Sequence, residues 1–177
     1  MKRCNSMRIL DLIFSLFALF VLLLPIMLLC FLLKITGEGE VFYKQLRVGK
    51  NGKHFYVFKY ATMLKESEKL PGGTLTFLND PRVLPLGRFL RITKINEIPQ
   101  LFNILLGDMS VVGPRPLVPS GESYYSNEQS QIIRSVKPGL TGWAQVKFPY
   151  AGTLEEQEKK LRNDLFYIKE QSMFLDF

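Results

Sequence analysis

Hydrophobic and polar positions fall into three regimes along the chain. From Leu12 to Leu33, 22 successive residues carry no charge; as a helix such a run reaches roughly 33 Å, enough to cross a hydrocarbon core of about 30 Å. Between Val41 and Met63 the pattern shortens. Val41-Phe42-Tyr43 and Phe55-Tyr56-Val57-Phe58 flank Gly49-Lys50-Asn51-Gly52, which predicts a β-hairpin with Arg47 near its turn. After Lys94 the period becomes helical, with Ile98, Leu101, Phe102 and Leu105 on one apolar face. Asn96 is a good N-cap type there, Pro99 suits the first turn and Gly107 supplies the stop. Weaker signals predict a helix over Leu64–Lys69, a turn at Asn79-Asp80-Pro81, and a helix over 154–171 with Leu161, Leu165 and Ile168 on one side. The expected fold is one helix-rich α+β domain, with residues 1–36 as basic leader and membrane helix and 37–177 as the part outside the apolar run. Several short amphipathic helices are expected to lie in the membrane interface.

Three readings compete for the apolar run. A cleaved secretory signal normally has an apolar stretch of 7–15 residues and a small-residue cleavage site, and neither fits here. A kinked span and a re-entrant helix both accommodate Pro25, whose missing N–H and ring clash break or bend a helix. Positive charge flanks both ends: Lys2, Arg3 and Arg8 before, Lys34, Lys44 and Arg47 after. That pattern places both ends in the cytoplasm and favours re-entry. Arg8 and Asp11, three apart at the mouth of the run, share a helix face and are expected to ease each other's burial as an ion pair.

Charge adds a constraint. The formal net charge is +7, which suits an anionic surface or substrate. The basic residues are scattered and no nucleic-acid motif occurs, so nucleic acid is not an expected partner. With one histidine (His54) and two cysteines (Cys4 and Cys30) the chain offers almost no zinc ligands, so any metal is a hard cation such as Mg2+ on carboxylate oxygen.

Several ordered blocks carry a resemblance. They are the leader with Arg8 and Asp11, Gln45-Leu46-Arg47-Val48-Gly49, Asn79-Asp80-Pro81-Arg82 and Gly87-Arg88-Phe89-Leu90-Arg91. Further on come Asn96-Glu97-Ile98-Pro99-Gln100-Leu101, the run from Gly107 through Gly113-Pro114-Arg115-Pro116, and Lys137-Pro138-Gly139-Leu140-Thr141-Gly142-Trp143. In this order they resemble the bacterial sugar transferases, monotopic phosphoglycosyl transferases acting on polyprenol phosphate. The resemblance implies a re-entrant membrane helix, a site on the cytoplasmic face of the bacterial inner membrane, and Mg2+. It implies transfer of a sugar phosphate from a UDP-sugar to undecaprenyl phosphate with release of UMP. The expected partners are that lipid, the nucleotide sugar and the membrane, with a homodimer left open.

The chemistry suits these residue types. Both substrates are anions, so arginines and a divalent cation must offset their repulsion. Arg88, Arg91 and Arg115 are the candidate phosphate clamps, with Lys59 beside them; Pro116 holds Arg115 extended and Gly113 permits close backbone approach. Glu97, near a helix start, is the expected metal ligand and, with Asn96, the expected catalytic pair. Two positions depart from the family. Asn96 occupies the place of its nucleophilic Asp, and Ala61 the place of a usual arginine. An amide cannot serve as a carboxylate nucleophile, so three accounts stay open: Glu97 does the covalent chemistry, transfer is direct, or the chain is an impaired homologue that binds polyprenol phosphate or a partner.

Overall fold

The computed structural model describes residues 5–71, 73, 79–148 and 154–176. Helix α1 spans Asn5–Val21 and α2 spans Leu23–Thr36, with a 63° bend at Leu22. The break lies one turn before Pro25, not at it. Proline's ring crowds the carbonyl four residues back and cannot donate to it, so the ladder fails between Val21 and Pro25 while the Leu22 and Ile26 N–H groups keep theirs, to Ala18 and Leu22. Among the described residues no single helix is long and apolar enough to cross a membrane, but the bent pair together passes by length and composition.

Helix α1 is inside-out, and α2 also exposes large apolar side chains. Phe14, Phe17, Phe20 and Leu24 are exposed, while the buried stripe of α1 is Met7, Asp11 and Ser15 at four-residue spacing. Strand β1 (Phe42–Val48) and strand β2 (His54–Tyr60) form the expected hairpin, turning through Lys50–Gly52 with Asn51 at φ 57. The helix expected over Leu64–Lys69 shrinks to a turn at Ser67–Lys69, because Glu66 adopts a left-handed φ of 57 that a helix cannot continue through. Then follow α3 (Pro85–Ile92), α4 (Gln100–Leu106), β3 (Ser110–Val112), α5 (Asn127–Arg134) and β4 (Gly139–Thr141). The chain ends with α6 (Trp143–Lys147), α7 (Leu154–Glu170) and α8 (Met173–Asp176). The fold class is helix-rich α+β, as expected.

Two compact units divide the chain: one of Met1–Phe17, Leu46–Val57 and Gln100–Phe177, the other of Ala18–Gln45 and Phe58–Pro99. In the second, Leu33, Tyr60 and Leu90 form a core against which Leu29, Val41, Leu86, Ile95 and Ile98 pack. In the first, the parallel pair β3–β4 sets Ser110 opposite Gly139 and Val112 opposite Thr141. There α4 turns a different face inward than its periodicity predicts. Ile104 and Asn103 are fully buried and Phe102 is exposed, since the Asn103 side chain donates to Tyr56 O at 2.7 Å and rotates the helix around that bond. On α7, Leu161 is buried as expected and Tyr167 joins it.

One acid on α7 titrates unusually. Burial pushes the Asp164 carboxyl up to about 6 from 3.8, opposed weakly by Lys160, and burial together with Asp164 raises the Tyr125 hydroxyl. The folded chain thus holds this proton more tightly than the unfolded one. The ionised carboxylate costs stability above pH 6, and the cost disappears as pH falls from 6 through 3.8. Asp164→Asn is therefore expected to raise the thermal midpoint at pH 7.5, by up to about 3 kcal/mol of stability, and to leave it unchanged near pH 4. Equal shifts at both pH values would refute the assignment.

Candidate functional site

In the unit of Ala18–Gln45 and Phe58–Pro99, the organising contact joins the end of β2 to α3. A Cβ on Gly87 would lie 2.2 Å from the Thr62 carbonyl oxygen, so only glycine allows this approach. The Leu84 N–H also donates to that carbonyl at 3.0 Å. One turn beyond Gly87, the Arg91 Nε donates to Thr62 Oγ1 at 2.9 Å, which fixes the direction of the guanidinium. Arg88, three residues before it on the same helix, is exposed. On β2, the Lys59 Nζ donates to Gln45 Oε1 at 3.2 Å. Ala61, at the departure from the family pattern, is buried beside Thr62.

Against α3 packs the turn Ile95–Glu97. Lys94 enters it at φ 61, and the Glu97 and Ile98 N–H groups close it on the carbonyls of Lys94 and Ile95. Asn96 and Glu97 are each 8% exposed. Asn96 is thus not the N-cap its residue type suggests: α4 begins only at Gln100, after Pro99. Its Oδ1 is buried with no hydrogen-bond partner among the described residues. This unit therefore sets Asn96, Glu97, Arg91 and Arg88 on adjacent elements, with Lys59 on the strand that leads into Thr62.

The other unit holds the remaining candidates. Three glycines interlock here. A Cβ would lie 2.7 Å from Lys137 O at Gly113, 2.1 Å from Gly113 N at Gly139, and 2.2 Å from Gly113 O at Gly142. The space beside Gly113 is filled by the chain's own backbone, held by Gly113 N to Thr141 O and Gly139 N to Pro114 O, both at 2.9 Å. Arg115 follows directly. The segment carrying it is held extended by Val48 N to Leu117 O at 2.9 Å and Arg47 Nη1 to Pro116 O at 2.8 Å. With Arg134, Ser130 and Pro138, Arg115 lines a water-sized cavity of about 10 Å³.

Arg8 and Asp11 do not form the expected ion pair. The Arg8 guanidinium donates to Ile104 O at 2.5 Å and Leu105 O at 2.9 Å, where a cation also favours the negative end of α4. The Asp11 carboxylate accepts from the Ser110 hydroxyl at 2.7 and 2.8 Å and from the Val111 N–H at 3.0 Å. Backbone groups left open at the ends of α4 and β3 outcompete a pairing within one helix turn.

The sequence reading passed over Thr62 and the partner of Asp80. Asp80 and Arg82, 2% and 4% exposed, form a two-pronged ion pair at 2.9 and 2.6 Å, and Arg82 Nη1 donates to the carbonyls of Ser67 and Gly73. The bonds to Asp80 hold Arg82 protonated. That pair braces the loop. Its i, i+2 spacing around Pro81 was the available signal. Pro25 is exposed on α2.

For a metal, the fit is to an oxygen-only cation. Among the described residues no three His, Cys, Asp or Glu side chains gather. Glu97 and the unpartnered Asn96 oxygen offer one anionic and one neutral oxygen, and Mg2+ is commonly held by one or two protein oxygens plus water and substrate phosphate.

Comparison with known proteins bears on these residues together. The family model described as bacterial sugar transferase matches residues 2–177. The chain is 42% identical over 166 residues to the UDP-glucose:undecaprenyl-phosphate glucose-1-phosphate transferase of Escherichia coli (strain K12), covering 89% of this chain and 35% of that protein. It is 37% identical over 147 residues to the UDP-N-acetylgalactosamine-undecaprenyl-phosphate N-acetylgalactosaminephosphotransferase of Aeromonas hydrophila, covering 82% and 34%. With the uncharacterized sugar transferase EpsL of Bacillus subtilis (strain 168) it shares 37% identity over 169 residues, covering 96% and 80%. The chain thus spans about a third of the length of the first two.

Proposed function

Because the chain belongs to the bacterial sugar transferase family, we propose that it transfers a sugar phosphate from a UDP-sugar to undecaprenyl phosphate, releasing UMP. The observation that carries this reading is the buried Glu97 in a turn packed on α3, the helix of Arg88 and Arg91. A buried carboxylate in a turn packed on a helix that carries one guanidinium fixed by Thr62 and one exposed guanidinium suits phosphoryl transfer, with one group to hold a cation and others to hold phosphate oxygens.

In the reaction, an oxygen of the carrier phosphate bonds to the phosphorus bearing the sugar. The bond from that phosphorus to the bridging oxygen breaks, and its electron pair leaves with UMP. Arg91, held by Thr62, orients the diphosphate; Arg88, exposed, gathers the incoming anion; Lys59 adds positive charge. Glu97 holds Mg2+, which when bound supplies charge neutralisation on the phosphoryl oxygens. Asn96, an amide, forms no acyl phosphate, and Glu97 is assigned to the cation, so the carrier attacks directly in this reading.

Helices α1 and α2 support a membrane seat. Large apolar side chains point outward along α1 and α2 while polar Asp11 and Ser15 are buried, the reverse of a water-soluble helix. We read 1–36 as the membrane-seated part, entering and leaving on the cytoplasmic side of the bacterial membrane, and 37–177 as the catalytic part. Exposed Phe89 and Ile92 on α3, Phe102 and Leu106 on α4 and Val146 on α6 suit the interface.

The test is UMP release by the chain in nanodiscs with undecaprenyl phosphate, Mg2+ and a panel of UDP-sugars. Release that depends on the lipid is expected, and silence across the panel would overturn the reading. Arg88→Ala is expected to raise KM for the UDP-sugar about tenfold with an unchanged thermal midpoint, as fits loss of one exposed phosphate contact. An unchanged KM would remove Arg88 from the site.

A further inference from the structure

We propose that Asn96 is a ligand of the divalent cation at Glu97, donating through its amide oxygen. The inference rests on the transfer reading for the cation and goes beyond it in assigning the second protein oxygen.

The fold does not use that oxygen. Asn96 is 8% exposed, and its Oδ1 is buried without a hydrogen-bond partner among the described residues. The backbone of the turn closes on the carbonyls of Lys94 and Ile95, and α4 starts at Gln100 without the Asn96 side chain. A carbonyl oxygen withdrawn from water and given no donor destabilises the folded state, whereas an apolar side chain of the same size would not. Its neighbour in the turn, Glu97, is an equally buried carboxylate. A carboxylate and an amide carbonyl on consecutive residues form an oxygen-only donor set, the preference of a hard cation. With no gathered acidic cluster among the described residues, most coordination positions stay open to water and phosphate.

The neutrality of the amide has a consequence. One cation and one carboxylate leave the centre with a net single positive charge, where a second carboxylate would cancel it. Cation affinity should then be low alone and should rise when a diphosphate supplies the missing negative oxygens.

The test uses the full chain in nanodiscs, Mn2+ as probe read by loss of the free-ion EPR signal, with and without UDP. Wild type is expected to bind one Mn2+ at least tenfold tighter with UDP present. Asn96→Leu should weaken that binding at least tenfold while its thermal midpoint holds or rises. Asn96→Asp should tighten Mn2+ binding in the absence of UDP at least tenfold, and it carries the test alone should the leucine variant fail to fold. Mn2+ affinity in Asn96→Leu within twofold of wild type, no tightening in Asn96→Asp, or no Mn2+ binding by wild type would each overturn the proposal. Weakened binding in Asn96→Leu with no UMP release from wild type would sink the transfer reading and leave the cation site standing. UMP release with Mn2+ affinity indifferent to residue 96 would do the reverse.

Discussion

With the proposed transfer reaction, Glu97→Gln is expected to abolish UMP release, by about a thousandfold or more, in a protein that still folds. The substitution keeps shape and volume and removes one negative charge from a side chain that is 8% exposed. Removing a single electrostatic contact to a developing charge costs about 10²–10³ in rate. In the proposed reaction the lost carboxylate is also the anionic anchor of a cation, so the effect belongs at or above the top of that range. The assay is initial-rate UMP release alongside thermal unfolding of both proteins. Turnover within tenfold of wild type would show that the reaction does not depend on this carboxylate.

The second large effect is on folding. Gly139→Ala places a methyl group 2.1 Å from Gly113 N, 2.4 Å from Thr141 O and 2.6 Å from Gly113 Cα. All three are backbone atoms, so no side chain can swing aside. The β3–β4 pair must part, which also costs the Gly139–Pro114 and Gly113–Thr141 hydrogen bonds. Overpacking typically costs 1–3 kcal/mol where side chains can yield, and this site exceeds it: a loss of about 4 kcal/mol or more is expected. Gly39→Ala is the control. Nothing lies within 4 Å of its Cβ position, so only its positive φ is penalised, by about 1 kcal/mol. Denaturant midpoints of the two variants give the comparison, and a Gly139→Ala loss no larger than that of Gly39→Ala would refute the clash.

What the sequence could and could not convey follows from the range of each interaction. The hairpin was legible because Gly49-Lys50-Asn51-Gly52 carries its own turn chemistry between two β-rich runs. The helix break was legible in kind but displaced, since proline disturbs the turn before it rather than its own position. The inward face of α4 was not legible, because Asn103 bonds to Tyr56, 47 residues away. Gly113 offered glycine's freedom without its user; the user is a strand 26 residues further on. The charged residues of the candidate site could be named from their motifs. Their supports could not, since Thr62 beneath Arg91 and Ser110 beside Asp11 are ordinary residues until the fold brings them into place.

With the proposed membrane seat, the bonds from Arg8 and Asp11 to α4 and β3 also bear on immersion depth. They grip α1 at its entry, below the exposed Phe14, Phe17 and Phe20, so the helix cannot slide to suit the surrounding lipid. A shift of one residue, about 1.5 Å, would pull the Asp11 carboxylate off the Ser110 hydroxyl. In that seat a bilayer of altered thickness would have to deform around the chain, and the resulting load would fall on a carboxylate–hydroxyl bond at the foot of the helix.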